Sequence, residues 1–384
     1  MDLELDADLE ALAESVRDMC TKHYDTDIVR QGEDGPGVLP PEVHQHLGRM
    51  GVLGMRIDPD FGGSGGGMVE TAVISEEFGA ALIPMSVLVS SVLVAELVND
   101  LGTDDSRTQI LPRLADGTQI ASIGWAEPGR GYSPAAMTST AEPEGDGIRL
   151  RGTKSFVHCA AQADPLLVVA RHHRGEGYGV YAVPVAEGTL AEQNTMAREL
   201  LHQVGFDLVV PASAEVTARP VSAAELEAVL ATFQVALSAY CVGGIREVLR
   251  MTRDYAATRE QFGKPIGSFQ ATAHRVSDQL VDYHSARLLA YQAAWAKDRD
   301  TPAALTLAWM AKRRGCDLYR AVTANGQQVF GGIGFITDVD VQLYYRRAKQ
   351  VQMLWAEPHY ADEQLARLIL DDDGPGLLPA IIER

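Results

Sequence analysis

The 384 residues are 46% hydrophobic, enough for two or three packed layers around a sizeable core. A formal net charge of −19 excludes the basic surface that nucleic acid or an anionic membrane demands, so an anionic ligand has to be met by a local group of Lys and Arg. Cys20, Cys159, Cys241 and Cys316 lie far apart without Cys-x-x-Cys spacing, which indicates neither a disulfide framework nor a zinc site and makes a reducing cytoplasm the expected setting.

The first residues, Met1-Asp-Leu-Glu-Leu-Asp6, are acidic where a signal peptide is basic and then apolar. Residues 1–118 read as a helical domain. Leu9, Leu12, Val16 and Met19 follow helical spacing, and Pro40-Pro41-Glu42 opens a second helix with proline in its first turn. The glycine-rich stretch Gly51–Gly67 precedes a further helix from Met68 through Glu77. Such a loop can cradle phosphate, but this one lacks the Lys-Ser/Thr of a P-loop and opens no βαβ unit, so it reads as a structural connection. The run Met85–Val98 is the most hydrophobic, yet serines interrupt it and Glu96 closes it. It reads as a buried helix and not a membrane span.

From Gln119 short apolar runs alternate with Gly, Pro, Asp and Glu turns: Ile120–Trp125, Thr138–Ala141, Ile148–Leu150, Leu166–Ala170, Gly179–Val183, Leu208–Val210 and Ala214–Val216. Residues 119–220 are therefore expected to form a small antiparallel β domain. Residues 221–384 return to helical periodicity, with long helices through Glu225–Thr258, Phe269–Lys297 and Pro302–Phe330, a pattern for a four-helix bundle. The fold class is α+β.

The most specific stretch is Tyr255-Ala-Ala-Thr-Arg-Glu-Gln-Phe-Gly-Lys-Pro-Ile-Gly-Ser-Phe-Gln270. Gly263 can take a positive φ and Pro265 cannot continue a helix, so one helix ends near Arg259 and another starts after Ser268, a plausible N-cap. Arg259, Phe262, Gly263, Ile266, Phe269 and Gln270 stand at the intervals of the acyl-CoA dehydrogenase signature, and the chain resembles that family over roughly residues 5 to 370. Three more segments extend the resemblance. Ala126-Glu-Pro-Gly-Arg-Gly-Tyr-Ser-Pro134 is similar to the family's Thr-Glu-Pro-Gly-Ala-Gly-Ser-Asp loop beside the flavin. Gly152-Thr-Lys-Ser-Phe-Val-His158 is similar to Gly-x-Lys-x-Trp-Ile-Thr, and Gln327-Gln-Val-Phe-Gly-Gly-Ile-Gly-Phe335 to Gln-x-x-Gly-Gly-x-Gly-Tyr/Phe.

The resemblance implies FAD, an acyl-CoA substrate oxidised to the α,β-enoyl-CoA, a dimer or tetramer of related subunits, and an electron-transfer flavoprotein as acceptor. It implies a cofactor set of Arg259, Phe262, Gln270, Gln328, Gly331, Gly332, Trp125, Phe156 and His158. In that set Arg259 faces the pyrophosphate, Phe156 packs on the isoalloxazine, and Gln328, Gly331 and Gly332 approach a neighbouring subunit's FAD. In the loop beside the flavin Ala126, Tyr132 and Ser133 depart from the family's residues, and the first two stand where the family has hydroxyls near the cofactor.

A larger departure concerns the base. The chemistry needs a carboxylate to take the α-proton while hydride leaves the β-carbon. Without gaps, Trp355 occupies the position of the usual Glu and Phe233 that of the alternative Glu on the first bundle helix. Glu357 lies two residues late and is the first candidate for a displaced base; Glu247 and His158 are weaker ones. The alternative is a base-less subunit that shares FAD with a complete partner, as in heteromeric enzymes acting on steroid side-chain CoA thioesters.

Overall fold

The computed structural model describes residues 4–33, 39–173, 176–185 and 190–370. In chain order the elements are helices α1 (Ala7–His23), α2 (Thr26–Glu33), α3 (Pro41–Arg49), α4 (Met68–Ala80), α5 (Met85–Leu88), α6 (Ala95–Leu101) and α7 (Asp104–Ala115). Strands β1 (Ser122–Gly124), β2 (Thr140–Glu144), β3 (Gly147–His158), β4 (Leu166–Arg171), β5 (Tyr178–Val183), β6 (Leu190–Gln193) and β7 (Leu201–Pro211) follow. The chain then forms α8 (Ala223–Thr258), the short strands β8 (Glu260–Gln261) and β9 (Lys264–Pro265), α9 (Gln270–Asp298), α10 (Ala304–Phe330), α11 (Val341–Met353) and α12 (Pro358–Leu370). Contacts gather these into two compact units.

One unit comprises residues 1–30, 68–83 and 234–384. Asp6 caps α1 by accepting from the amides of Asp8 and Leu9, and Ala13, Val16, Met19 and Cys20 give the helix one buried face. Helices α4 and α8 touch backbone to backbone. A Cβ on Gly243 would lie 1.8 Å from the Glu76 carbonyl oxygen, so only glycine permits this approach. The adjacent Glu77 carboxylate is buried and takes Arg17 at 2.8 Å and Arg246 at 2.6 Å. Burial opposes its ionisation, but hydrogen bonds and charge from Arg246 and Arg17 outweigh it and hold the group below the usual carboxylate range. Tyr291 and Arg246 hydrogen-bond to the neighbouring Glu76 carboxylate, tying α8 and α9 to α4.

The other unit comprises residues 31–67 and 84–233. Its sheet runs β1-β4-β2-β3-β7-β6, with β5 added to β4. Most pairs are antiparallel, while β1 and β2 pair parallel to β4. Leu150, Val157, Val168, Tyr181 and Val204 are among the side chains that fill the core on its inner face. The run Met85–Val98 is a buried helix as expected, with a π-helical stretch over Val89–Val94. The run Ala214–Val216 is not a strand: Ala212–Ala214 form a 3-10 turn and Glu215 makes one bridge to Tyr181. Helix α8 is apolar and long enough to cross a membrane, but 94% of its most apolar window is buried inside the protein.

Candidate functional site

The candidate residues of the β unit cluster around the C-terminal half of β3. Trp125, at the end of β1, is buried and donates its indole N–H to the Tyr132 carbonyl at 2.8 Å, which closes the 126–134 loop on itself. Glu127 is buried at the head of that loop. Its two oxygens accept from the amide and hydroxyl of Thr138 (2.7 and 2.7 Å), the amide and hydroxyl of Ser139 (2.9 and 2.6 Å) and the Lys154 ammonium (2.8 Å). Burial works against its charge, but the Lys154 charge and these donors prevail and bring the carboxyl down to about 2. Lys154 is 0% exposed, and burial lowers its pKa to about 8 despite Glu127. Both groups are charged at neutral pH. Lys154 was visible in the sequence only as a matched motif letter; its partner lies 27 residues away.

The β3–β7 ladder breaks between Lys154 and Val157. At this bulge Phe156 takes φ +58, a conformation that bulky residues avoid, and its ring stands 42% exposed. His158, two residues on, is 1% exposed, so its imidazole offers no open face beside Phe156.

In the helical unit, α8 ends at Thr258 as the sequence predicts, and β8 and β9 form a hairpin whose two central residues, Phe262 and Gly263, have φ +56 and +78, the pattern of a type I′ turn. Phe262 is 94% exposed at its tip. Arg259 is exposed, and its guanidinium has no hydrogen-bond or ion-pair partner among the described residues. Ser268 does not cap α9: its hydroxyl donates to the Pro265 carbonyl at 2.7 Å, and the N-cap is Phe269 without a side-chain bond. Gln270 is exposed at the first turn of α9, and Gln328 is exposed in the last turn of α10. Gly331 ends α10 at φ +69, ψ −145, a region essentially open to glycine alone. A Cβ on Gly331 or Gly332 would meet nothing within 4 Å, so this backbone is bare to an approaching group. An unpaired guanidinium, a bare glycine turn and exposed amides fit a phosphate-bearing cofactor at the helical unit, as the outward Phe156 ring fits a flat one at the β unit.

Trp355 is 1% exposed at φ +56, and Ala356 follows at φ +93. The Gln234 amide donates to the Trp355 carbonyl, and the buried Lys312 ammonium donates to the Val351 and Leu354 carbonyls at 2.7 and 3.0 Å. Phe233 is fully buried. Glu357 is half-buried just ahead of α12, its carboxylate without a partner among the described residues. Glu247 is ion-paired with Arg250.

Profiles of the acyl-CoA dehydrogenase N-terminal, middle and C-terminal domains match residues 6–118, 122–212 and 226–354. The acyl-CoA dehydrogenase FadE12 of Mycobacterium tuberculosis is 30% identical over 78% of this chain and 80% of its own length. The chain belongs to the acyl-CoA dehydrogenase family. Among solved structures of that family, the ChsE4–ChsE5 complex from Mycobacterium tuberculosis is similar at 26% identity and TM-score 0.84, covering 96% of this chain and 97% of that one. A variant of the steroid acyl-CoA dehydrogenase Tcur3481–Tcur3483 is similar at 28% identity and TM-score 0.83, covering 94% and 96%. Acyl-CoA dehydrogenases are FAD-dependent oxidoreductases, and this chain carries their three-part α+β fold.

Proposed function

We propose that this chain is an FAD-binding subunit of an acyl-CoA dehydrogenase in which a second, related chain supplies the catalytic carboxylate. One contrast carries the reading. Arg259, Phe262, Gln270, Gln328 and Gly332 stand exposed, whereas Trp355 and Phe233, at the two positions the family resemblance gives to the base, are buried aromatics that take no proton. The apolar side chains left open on α9, Val281 and Leu288 among them, and Phe335 after α10 suit a subunit contact.

When bound, FAD supplies the acceptor for the hydride that leaves the acyl β-carbon. In this reading Arg259 pairs with the pyrophosphate of one FAD, Phe262 packs beside that cofactor and Gln270 hydrogen-bonds to it, while Gln328 reaches the FAD of a neighbouring subunit. The turn at Gly331 and Gly332 lets backbone amides approach that neighbouring cofactor, and Phe156 forms a platform for a flat ring system. The partner's carboxylate removes the α-proton, giving the enoyl-CoA, and an electron-transfer flavoprotein accepts the electrons. The two-chain names of the ChsE4–ChsE5 and Tcur3481–Tcur3483 structures support the pairing, and the latter's description supports a steroid-derived thioester as substrate. Four buried free thiols suit a cytoplasmic location.

An anaerobic titration with acyl-CoA thioesters, steroid-derived ones included, tests this by visible flavin absorption. The chain alone is expected to leave flavin unreduced, and the chain purified with its partner to bleach it. Bleaching by the chain alone rejects the reading.

A second reading rests on Glu357, whose carboxylate has no partner among the described residues and lies two residues from Trp355. In it the chain is a complete dehydrogenase with a displaced base, and Glu357→Gln abolishes reduction while flavin stays bound.

A further inference from the structure

The bulge that turns Phe156 outward cannot use the strand ladder to hold itself. Lys154 pairs with Val204 and Val157 pairs with His202, so the two residues between them have no partner on β7. Each amide is met from elsewhere. Ser155 donates to the Ala126 carbonyl at 2.9 Å, which stitches the bulge to the loop that Glu127 and Lys154 anchor. Phe156 donates to the side-chain oxygen of Gln193 at 2.7 Å. Gln193 ends β6, a strand separated from β3 by β7 and in register with His158 through their common partner Leu201. Its backbone belongs to the sheet edge while its side chain reaches the bulge.

We propose that Gln193 is a positioning residue. Its oxygen fixes the Phe156 amide at positive φ, and that conformation presents the ring to FAD. Among the described residues no other side chain meets this amide, and no motif of the sequence includes position 193. With Gln193 the left-handed conformation is held by a hydrogen bond; without it the residue relaxes toward the β region that a phenylalanine prefers, and the ring leaves its outward orientation. The inference rests on the proposed role of Phe156 as flavin platform, and the experiment separates the two.

FAD is titrated into the full chain, together with its partner if both are needed to hold flavin, with flavin fluorescence quenching and the shape of the visible flavin band as readouts. Gln193→Leu is expected to weaken FAD binding about tenfold, the effect of losing one well-aligned hydrogen bond, and to alter the band shape. Gln193→Glu, which keeps an acceptor oxygen at the same reach, is expected to restore both. Phe156→Ala is expected to weaken binding at least as much and to make Gln193→Leu silent in the double variant.

Three results overturn the proposal: unchanged binding in Gln193→Leu while Phe156→Ala is weakened, an equal further loss in the double variant, or no rescue by Glu. Unchanged binding in Phe156→Ala removes instead the platform reading beneath it.

Discussion

Lys154→Met is the most informative single change, because it removes one charge from a fully buried pair and leaves the other. Its aliphatic stem is replaced at nearly constant volume, so the loss is electrostatic. Breaking a buried ion pair costs about 3–5 kcal/mol. The Glu127 carboxyl is lowered from 4.5 to about 2, while burial lowers Lys154 to about 8, so the acid-side pH dependence of the pair comes from Glu127. The folded-state pKa is depressed, so this stability is present above pH 4.5 and is lost as the pH falls toward 2.

Denaturant unfolding of the full chain at neutral pH and at several acidic pH values, followed by circular dichroism, measures both effects. Lys154→Met should lose about 3–5 kcal/mol at neutral pH, and Glu127→Gln a similar amount. The double variant should lose clearly less than the sum, because each single change already breaks the same pair. Additive losses, or a cost below about 1 kcal/mol for Lys154→Met, would refute the idea that this pair anchors the 126–134 loop.

Arg259→Ala should lower FAD retention after gel filtration, because a charge-assisted contact to phosphate is worth more than a neutral one; full flavin content would remove Arg259 from the cofactor set. Glu357→Gln should leave turnover of the paired enzyme unchanged, and its loss would favour the displaced base. Trp355→Ala should cost about 3–5 kcal/mol by leaving a cavity under the end of α11, measured by denaturant midpoint. Lys312→Met should cost about 1–3 kcal/mol, chiefly for the Leu354 carbonyl, since Val351 keeps the Cys316 thiol as a weak donor, read as a lower melting temperature.

Punctuation made the helical half of the site readable. Arg259, Phe262, Gly263, Pro265 and Gln270 sit within a dozen residues, and the backbone needs of a tight hairpin between two helices are local needs. The glycines after Phe330 are readable for the same reason. What the sequence hides is held by partners far along the chain. Lys154 finds Glu127, Gln193 finds Phe156, and Lys312 finds the carbonyls of α11 only after the sheet or the bundle has formed. Strand β6, Leu190–Gln193, leaves little trace in the sequence because it is a short edge strand with little alternation, and it carries Gln193. The hydroxyl of Ser268 misled because Pro265 offers it a carbonyl one turn back.

The way Trp355 is built in bears on whether a carboxylate could be placed at that position by mutation. Relatives with a base there must keep a charge and room for a substrate, at a cost in stability. Here a large indole fills the space, its backbone sits in a left-handed well, and Gln234 grips its carbonyl. Exchanging it for glutamate would open a cavity and bury an unpaired charge at one stroke, so the change is uphill before any activity could favour it. Under the proposed pairing, a carboxylate supplied by a second chain avoids that cost.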